Sequence, residues 1–229
     1  MKLNFKHLDT LRGGLVASCQ PIDDGPLDRP EIVAALAAAT LAGGASGVRI
    51  EGVENVRAVR ACISAPIIGI VKEDLADSPV RITPRISQVR ALAEAGADII
   101  AYDGTDRLRP DTRNALLSEI LLLGKIAMAD CALLEDGKAA LAGGAQIIGT
   151  TLSGYTDNTA GNGSEPDFAL VRAFGKLDAF VMAEGRYNTP DLAAAAIEHG
   201  ADAVTVGTVL TRLEVITRSF VDAIRAEQS

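Results

Sequence analysis

Only two histidines occur in 229 residues, His7 near the start and His199 in Ile-Glu-His-Gly. His199 reads as the last turn of a helix, where the macrodipole favours a cation, and His7 lies in a polar stretch. Neither suits a catalytic base. A Ser/His/Asp triad and a His-ligated metal are therefore disfavoured, and acid–base chemistry falls to lysine, arginine and the carboxylates. Six lysines are available: Lys2, Lys6, Lys72, Lys125, Lys138 and Lys176. Lys72 alone closes an apolar run, Ile67-Ile-Gly-Ile-Val-Lys. An ammonium there is partly desolvated, which favours the neutral amine and makes a usable base or Schiff-base nucleophile. The alternative is a lysine that snorkels from a rim into water. Glu184, in Phe180-Val-Met-Ala-Glu-Gly-Arg, could exchange a proton with a substrate or simply cap a loop.

The elements that must hold these groups alternate. Short β-prone runs at 15–20, 47–51, 67–72, 97–103, 125–130, 146–152, 178–184 and 201–207 are separated by segments of helical period. Those segments cover 30–42, 53–63, 84–95, 111–123, 133–142, 167–176 and 190–199, with a final amphipathic helix near 212–226. This is the pattern of a parallel sheet covered by helices. Proline stands at the start of the segments near Pro30, Pro84 and Pro190, where its missing N–H costs nothing. An internal repeat supports the reading: Gly44, Gly96, Gly144 and Gly200 each end a helical segment and precede a β-branched run. Glycine there supplies the left-handed position that terminates a helix. Eight βα units in one chain predict a single (β/α)8 TIM barrel over residues 1–229. An open doubly wound sheet is the weaker alternative, because Ser18-Cys-Gln-Pro-Ile-Asp is not the glycine-rich turn it would want.

In such a barrel the site forms at the C-terminal strand ends, which sorts the polar residues. Asp130 ends the fifth strand, Arg49 lies in the second, and the two could form an orienting or merely structural ion pair. Gln20, sharing a face with Ser18, is a neutral hydrogen-bonder suited to positioning a substrate. The loops after strands seven and eight read Glu184-Gly185-Arg186 and Val206-Gly207-Thr208, the second followed by Val209-Leu210-Thr211-Arg212. Glycine N–H groups, a short helix start and arginines make a phosphate cradle, or else an ordinary turn with Thr208 as cap. The Asp157–Ser164 run reads as a lid over the mouth or a plain solvated loop. Asp23-Asp24 and Glu73-Asp74 read as solvated carboxylates, so no metal site is expected.

Composition excludes other classes. A net charge of −8 lacks the basic footprint of a nucleic-acid binder. No apolar run reaches the roughly 20 residues that span a bilayer, and residues 1–9 lack a signal-peptide core, so a cytoplasmic protein is expected. Three cysteines, Cys19, Cys62 and Cys131, form neither a disulfide framework nor a zinc motif.

Five stretches together carry a resemblance: Gly14-Leu-Val-Ala-Ser-Cys-Gln-Pro, Gly69-Ile-Val-Lys-Glu-Asp, Met128-Ala-Asp, Gly149-Thr-Thr-Leu-Ser-Gly-Tyr-Thr and Ala183-Glu-Gly-Arg-Tyr-Asn-Thr-Pro. The chain resembles the N-acetylmannosamine-6-phosphate 2-epimerases over nearly its whole length. The resemblance implies a barrel of the ribulose-phosphate-binding type, a cofactor-independent isomerase of amino-sugar phosphates in sialic acid catabolism, and a homo-oligomer. It places a base on Lys72 and an acidic partner on Glu184, with Gln20, Arg49 and Asp130 around the sugar. Gly185, Arg186, Gly207, Thr208 and Arg212 fall around the phosphate. Glu51, Glu73 and Tyr102 depart from the family pattern. Two other readings of the residues remain: a class I aldolase with Lys72 as Schiff base, and a non-catalytic sugar-phosphate sensor.

Overall fold

The four repeat glycines all adopt the left-handed backbone the sequence asks of them, with φ of 100° at Gly44, 102° at Gly96, 100° at Gly144 and 103° at Gly200. Each reverses the chain at the end of a helix and feeds it into the next strand, a turn that a Cβ would strain. The computed structural model describes residues 6–161, 163 and 165–227.

The strands are β1 (Leu15–Cys19), β2 (Gly47–Glu51), β3 (Ile67–Ile70), β4 (Ile99–Asp103), β5 (Ile126–Asp130), β6 (Ile147–Gly149), β7 (Phe180–Glu184) and β8 (Ala203–Val206). All pair in parallel, in sequence order, and β8 returns to β1 to close the barrel. The helices are α1 (Lys6–Leu11), α2 (Pro30–Ala42), α3 (Val53–Cys62), α4 (Ile86–Ala95) and α5 (Arg113–Leu122). They continue with α6 (Leu134–Ala142), α7 (Phe168–Phe174), α8 (Pro190–Glu198), the short α9 (Thr208–Thr211) and α10 (Leu213–Ala226). The (β/α)8 barrel expected from the alternation is thus the fold.

Period two divides the apolar residues between two cores. Outward residues such as Val48, Ile50, Ile100, Tyr102 and Ile148 pack beneath the helices. Inward residues, among them Val16, Ile68, Ile99, Ile126, Ile147, Phe180 and Met182, fill the barrel itself.

Several expectations need correction. Residues 6–11 are not merely a polar stretch: α1 is a plug whose Leu8 and Leu11 join the inner core from below. Gly47 makes room for it, since a Cβ there would lie 2.6 Å from Leu11 Cδ2. The third strand stops at Ile70, and Lys72 lies two residues beyond, in an isolated antiparallel bridge with Ile82. The chain leaves the barrel wall at this point and doubles back before α4. Pro30 and Pro190 occupy first-turn positions, but Pro84 precedes α4, whose cap is Arg85. The final helix and the short helix start before it are both present, as α10 and α9, and no residue of α10 is buried.

Leu11 is fully buried and lies at the opposite end of the barrel from the strand termini. Leu11→Ala should lower the unfolding free energy by about 3 kcal/mol, as cavity-forming substitutions do. Urea denaturation measures the loss.

Candidate active site

The C-terminal strand ends surround a cavity of about 450 Å³, in the range of small-molecule sites. Its walls carry nine of the ten residues singled out from sequence: Gln20, Arg49, Lys72, Glu184, Gly185, Arg186, Gly207, Thr208 and Arg212. Asp130 is the exception, fully buried behind Arg49.

Arg49 organises the floor. It stands on β2, facing inward by the same alternation that puts Val48 and Ile50 outside. Its Nη1 and Nη2 donate to Asp130 Oδ1 at 3.1 Å and Oδ2 at 2.6 Å. Nη1 also lies 3.0 Å from Glu184 Oε2, an ion-pair distance, though off the line of a hydrogen bond, so that Oε2 keeps an acceptor site free. The guanidinium is 1% exposed. Burial by itself would lower the Arg49 pKa, but Asp130 and Glu184 outweigh it and hold the cation firmly charged. The ion pair expected between Arg49 and Asp130 is present, although β2 and β5 are not neighbouring strands. The side chain crosses the interior because eight strands enclose a space that an arginine can span.

Asp130 Oδ1 also accepts from Thr151 Oγ1 at 2.6 Å. Thr150 fixes Glu184 from the backbone: its hydroxyl donates to the Glu184 carbonyl at 2.9 Å and lies 3.0 Å from its N–H. Burial pushes the Glu184 carboxyl up, Asp130 adds to this, and Arg49 and Lys72 oppose it. Lys72 is shifted the other way. Burial lowers its pKa to about 8, aided by the cationic Arg212 and Arg49 and resisted by Glu51. At pH 7 that leaves about a tenth of the side chain neutral, against roughly one part in three thousand for a free lysine.

The three departures from the family pattern are accounted for locally. Glu51 Oε1 accepts the Lys72 backbone N–H at 3.2 Å and so fixes the chain that carries the amine. Glu73 turns away to Arg85 and Gln88. Tyr102 points outward and packs under the helices.

At the opposite wall, Gly207 leads into α9. Arg212 Nε donates to the Gln20 carbonyl at 2.9 Å and Thr211 Oγ1 to the Ser18 carbonyl at 2.7 Å, tying this turn to β1. Gly185 has φ 111°, which a side chain would strain. Arg186 lines the cavity, but its Nε donates to the Glu165 carbonyl and its Nη1 to that of Ser153. Its guanidinium also lies over the Tyr155 ring at 5.2 Å. Of the 157–164 run, Asn162 and Ser164 lie outside the described residues. Thr159 organises the part before them, its Oγ1 accepting from Gly154 N–H at 2.9 Å.

Sequence reasoning missed Asp103, Arg107, Thr151, Ile82 and Thr205 on the cavity wall. Strand polarity alone would have found Asp103, which ends β4 and pairs with Arg107 at 2.6 Å. Nothing local marks Ile82, which arrives through the bridge to Lys72. Among the described residues, no group of three or more His, Cys, Asp or Glu is arranged to hold a metal ion.

A closed parallel barrel that gathers a desolvated lysine and a buried carboxylate at its mouth defines a class, the TIM-barrel enzymes equipped for proton transfer. Comparison with known proteins narrows it. Residues 33–226 match the NanE family, described as "Putative N-acetylmannosamine-6-phosphate epimerase". A protein of Actinobacillus pleuropneumoniae serotype 5b is 58% identical over 218 residues, covering 95% of this chain and 94% of its own. One of Haemophilus influenzae is 53% identical over 226 residues, covering 98% of each. Both carry the name "Putative N-acetylmannosamine-6-phosphate 2-epimerase". The solved N-acetylmannosamine-6-phosphate 2-epimerase of Clostridium perfringens superposes with a TM-score of 0.90 at 36% identity, over 94% of this chain and 95% of that one. The chain belongs to the NanE family of N-acetylmannosamine-6-phosphate epimerases.

Because burial disfavours the ammonium, the folded chain carries a charged Lys72 at a cost below pH 8. The cost is relieved as pH rises from about 8 toward the unfolded value of about 10.4. Lys72→Met should raise the unfolding free energy at pH 7 by about 3 kcal/mol. The advantage should shrink between pH 8 and 10; urea titrations across that range would show a constant difference if burial were not the cause.

Proposed function

We propose that this chain interconverts N-acetylmannosamine 6-phosphate and N-acetylglucosamine 6-phosphate, as a cytoplasmic, cofactor-independent isomerase of amino-sugar catabolism. The observation that carries the reading is the pair of opposed shifts at one mouth, a lysine lowered by burial and a carboxylate raised by it. Such a pair holds one group able to take a proton and one able to give it near neutral pH.

In the open-chain sugar the C1 aldehyde acidifies the C2 hydrogen. Neutral Lys72 removes that proton, and the electron pair passes to the C1 oxygen as an enediolate. Arg49, fixed by Asp130, supplies positive charge on the floor beneath the developing oxyanion. Return of a proton to the opposite face of C2 gives the other epimer, and Glu184, raised by burial, is the group that delivers it. Gln20 orients the sugar. Gly185, Arg186, Gly207, Thr208 and Arg212 hold the phosphate, whose remote binding energy keeps C2 in place. Asp130 acts through Arg49 without reaching the cavity.

No helix among the described residues is long and apolar enough to cross a membrane. We also propose a homo-oligomer, supported by α10, which presents Phe220 and Ile224 at 67% and 61% exposure.

Incubation of either sugar phosphate in D2O, without added metal or nucleotide, should give the other epimer with deuterium at C2. Recovery of unlabelled starting sugar would defeat the assignment, and borohydride trapping of a Lys72 adduct would redirect it to Schiff-base chemistry. Lys72→Ala should abolish exchange, with substrate binding retained within about tenfold by calorimetry. Arg212→Ala should raise KM about tenfold or more and lower kcat less; steady-state kinetics separates the two.

A further inference from the structure

Among the polar groups ringing the cavity floor, most are spoken for. Ser18 Oγ accepts from Gln20, Thr151 Oγ1 donates to Asp130, and Thr211 Oγ1 donates to the Ser18 carbonyl. Thr205 is different. It stands on β8, 3% exposed, and its Oγ1 is buried with no hydrogen-bond partner among the described residues. A buried hydroxyl left unpaired costs the fold its desolvation, of order 1–3 kcal/mol, and calls for an explanation. A valine would occupy nearly the same space without that cost.

Its position supplies the explanation. Thr205 lies on the cavity wall, in register with Glu184 on β7 and two residues before Gly207. It therefore sits between the proton-transfer groups and the phosphate cradle. On the neighbouring β7, Glu184 Oε2 also makes no hydrogen bond, although Arg49 pairs with it as an ion. A threonine hydroxyl can both donate and accept, which is what a hydroxyl of a bound ligand asks of its partner.

We propose that Thr205 Oγ1 binds a hydroxyl in the middle of the open-chain sugar, on C4 or C5, between the reacting C2 and the C6 phosphate. The inference rests on the sugar-phosphate reading above and deepens it. Lys72 and Glu184 address C2, the glycine cradle addresses the phosphate, and Thr205 reads the carbons between them. It makes the site selective for a polyhydroxylated chain, because a substrate without that hydroxyl leaves Thr205 Oγ1 buried and unpaired.

Two substitutions in the full-length protein test this. Thr205→Val keeps the branched shape and removes the hydroxyl; Thr205→Ser keeps the hydroxyl and removes the methyl group. Thr205→Val should fold with an unfolding midpoint in urea at or above that of the parent. Its kcat/KM on N-acetylglucosamine 6-phosphate should fall about 10- to 100-fold, while Thr205→Ser stays within about threefold. With the 4-deoxy or the 5-deoxy sugar phosphate, whichever lacks the bound hydroxyl, the penalty of Thr205→Val should shrink to less than about threefold. Three results would overturn the role: Thr205→Val at near-parental kcat/KM, an equal fall in both variants, or an equal valine penalty on all three sugars. A parent protein inactive on both epimers would instead strike at the substrate assignment itself, so the two failures are told apart by the parent's own activity.

Discussion

A single buried cation sets the terms for this barrel mouth. Arg49 is 1% exposed and faces two carboxylates, Asp130 and Glu184, drawn from strands that do not touch its own. Once such a charge is inside, losing its bidentate partner Asp130 leaves the ion poorly compensated, a defect of about 3–5 kcal/mol. The guanidinium therefore fixes β2, β5 and β7 relative to one another at the end where the cavity opens. Because it spans the interior, it also separates the apolar filling below from the polar ring above.

The same triad unbalances the charges usefully. One cation cannot satisfy two carboxylates equally. Asp130 takes the bidentate geometry and the Thr151 hydroxyl at 2.6 Å, whereas Glu184 meets the guanidinium off the line of a hydrogen bond and is raised by burial. Lys72 feels Arg49 and Arg212 as like charges in a site poor in water, and falls. Two groups that would be fully charged in water are brought toward neutrality by one arrangement. Stability is given up to obtain this, as in the unpaired Thr205 hydroxyl and the desolvated ammonium.

The rest of the scaffold serves to keep that arrangement still. The inner core is closed from below by Leu8 and Leu11 of α1, so the barrel is a packed body with one polar end. Loop anchors do the same above: Thr150 grips the backbone of Glu184, Glu51 grips that of Lys72, and Arg212 binds the carbonyl of Gln20. Each places a side chain of the mouth by holding its main chain.

The order and kind of the elements were legible in the chain because they depend on local physics. Period-two runs, alanine-rich helical segments and four glycines at helix ends act over a few residues, and all four glycines adopt φ near +100°. Strand polarity, a consequence of the parallel pattern, then singled out Lys72, Glu184, Gln20 and the two glycine turns. Contacts between distant segments were not legible. Nothing near Arg49 says that its partner lies on a strand across the barrel, near Lys72 that Ile82 returns to bridge it, or near Thr205 that its hydroxyl goes unpaired. Nor does the N-terminal stretch announce itself as a plug, since two leucines become core only when the barrel floor offers them a hole. Burial, and hence every shifted pKa, is a property of the assembled barrel: the residues fix which groups can titrate, and closure decides how far each is taken from water.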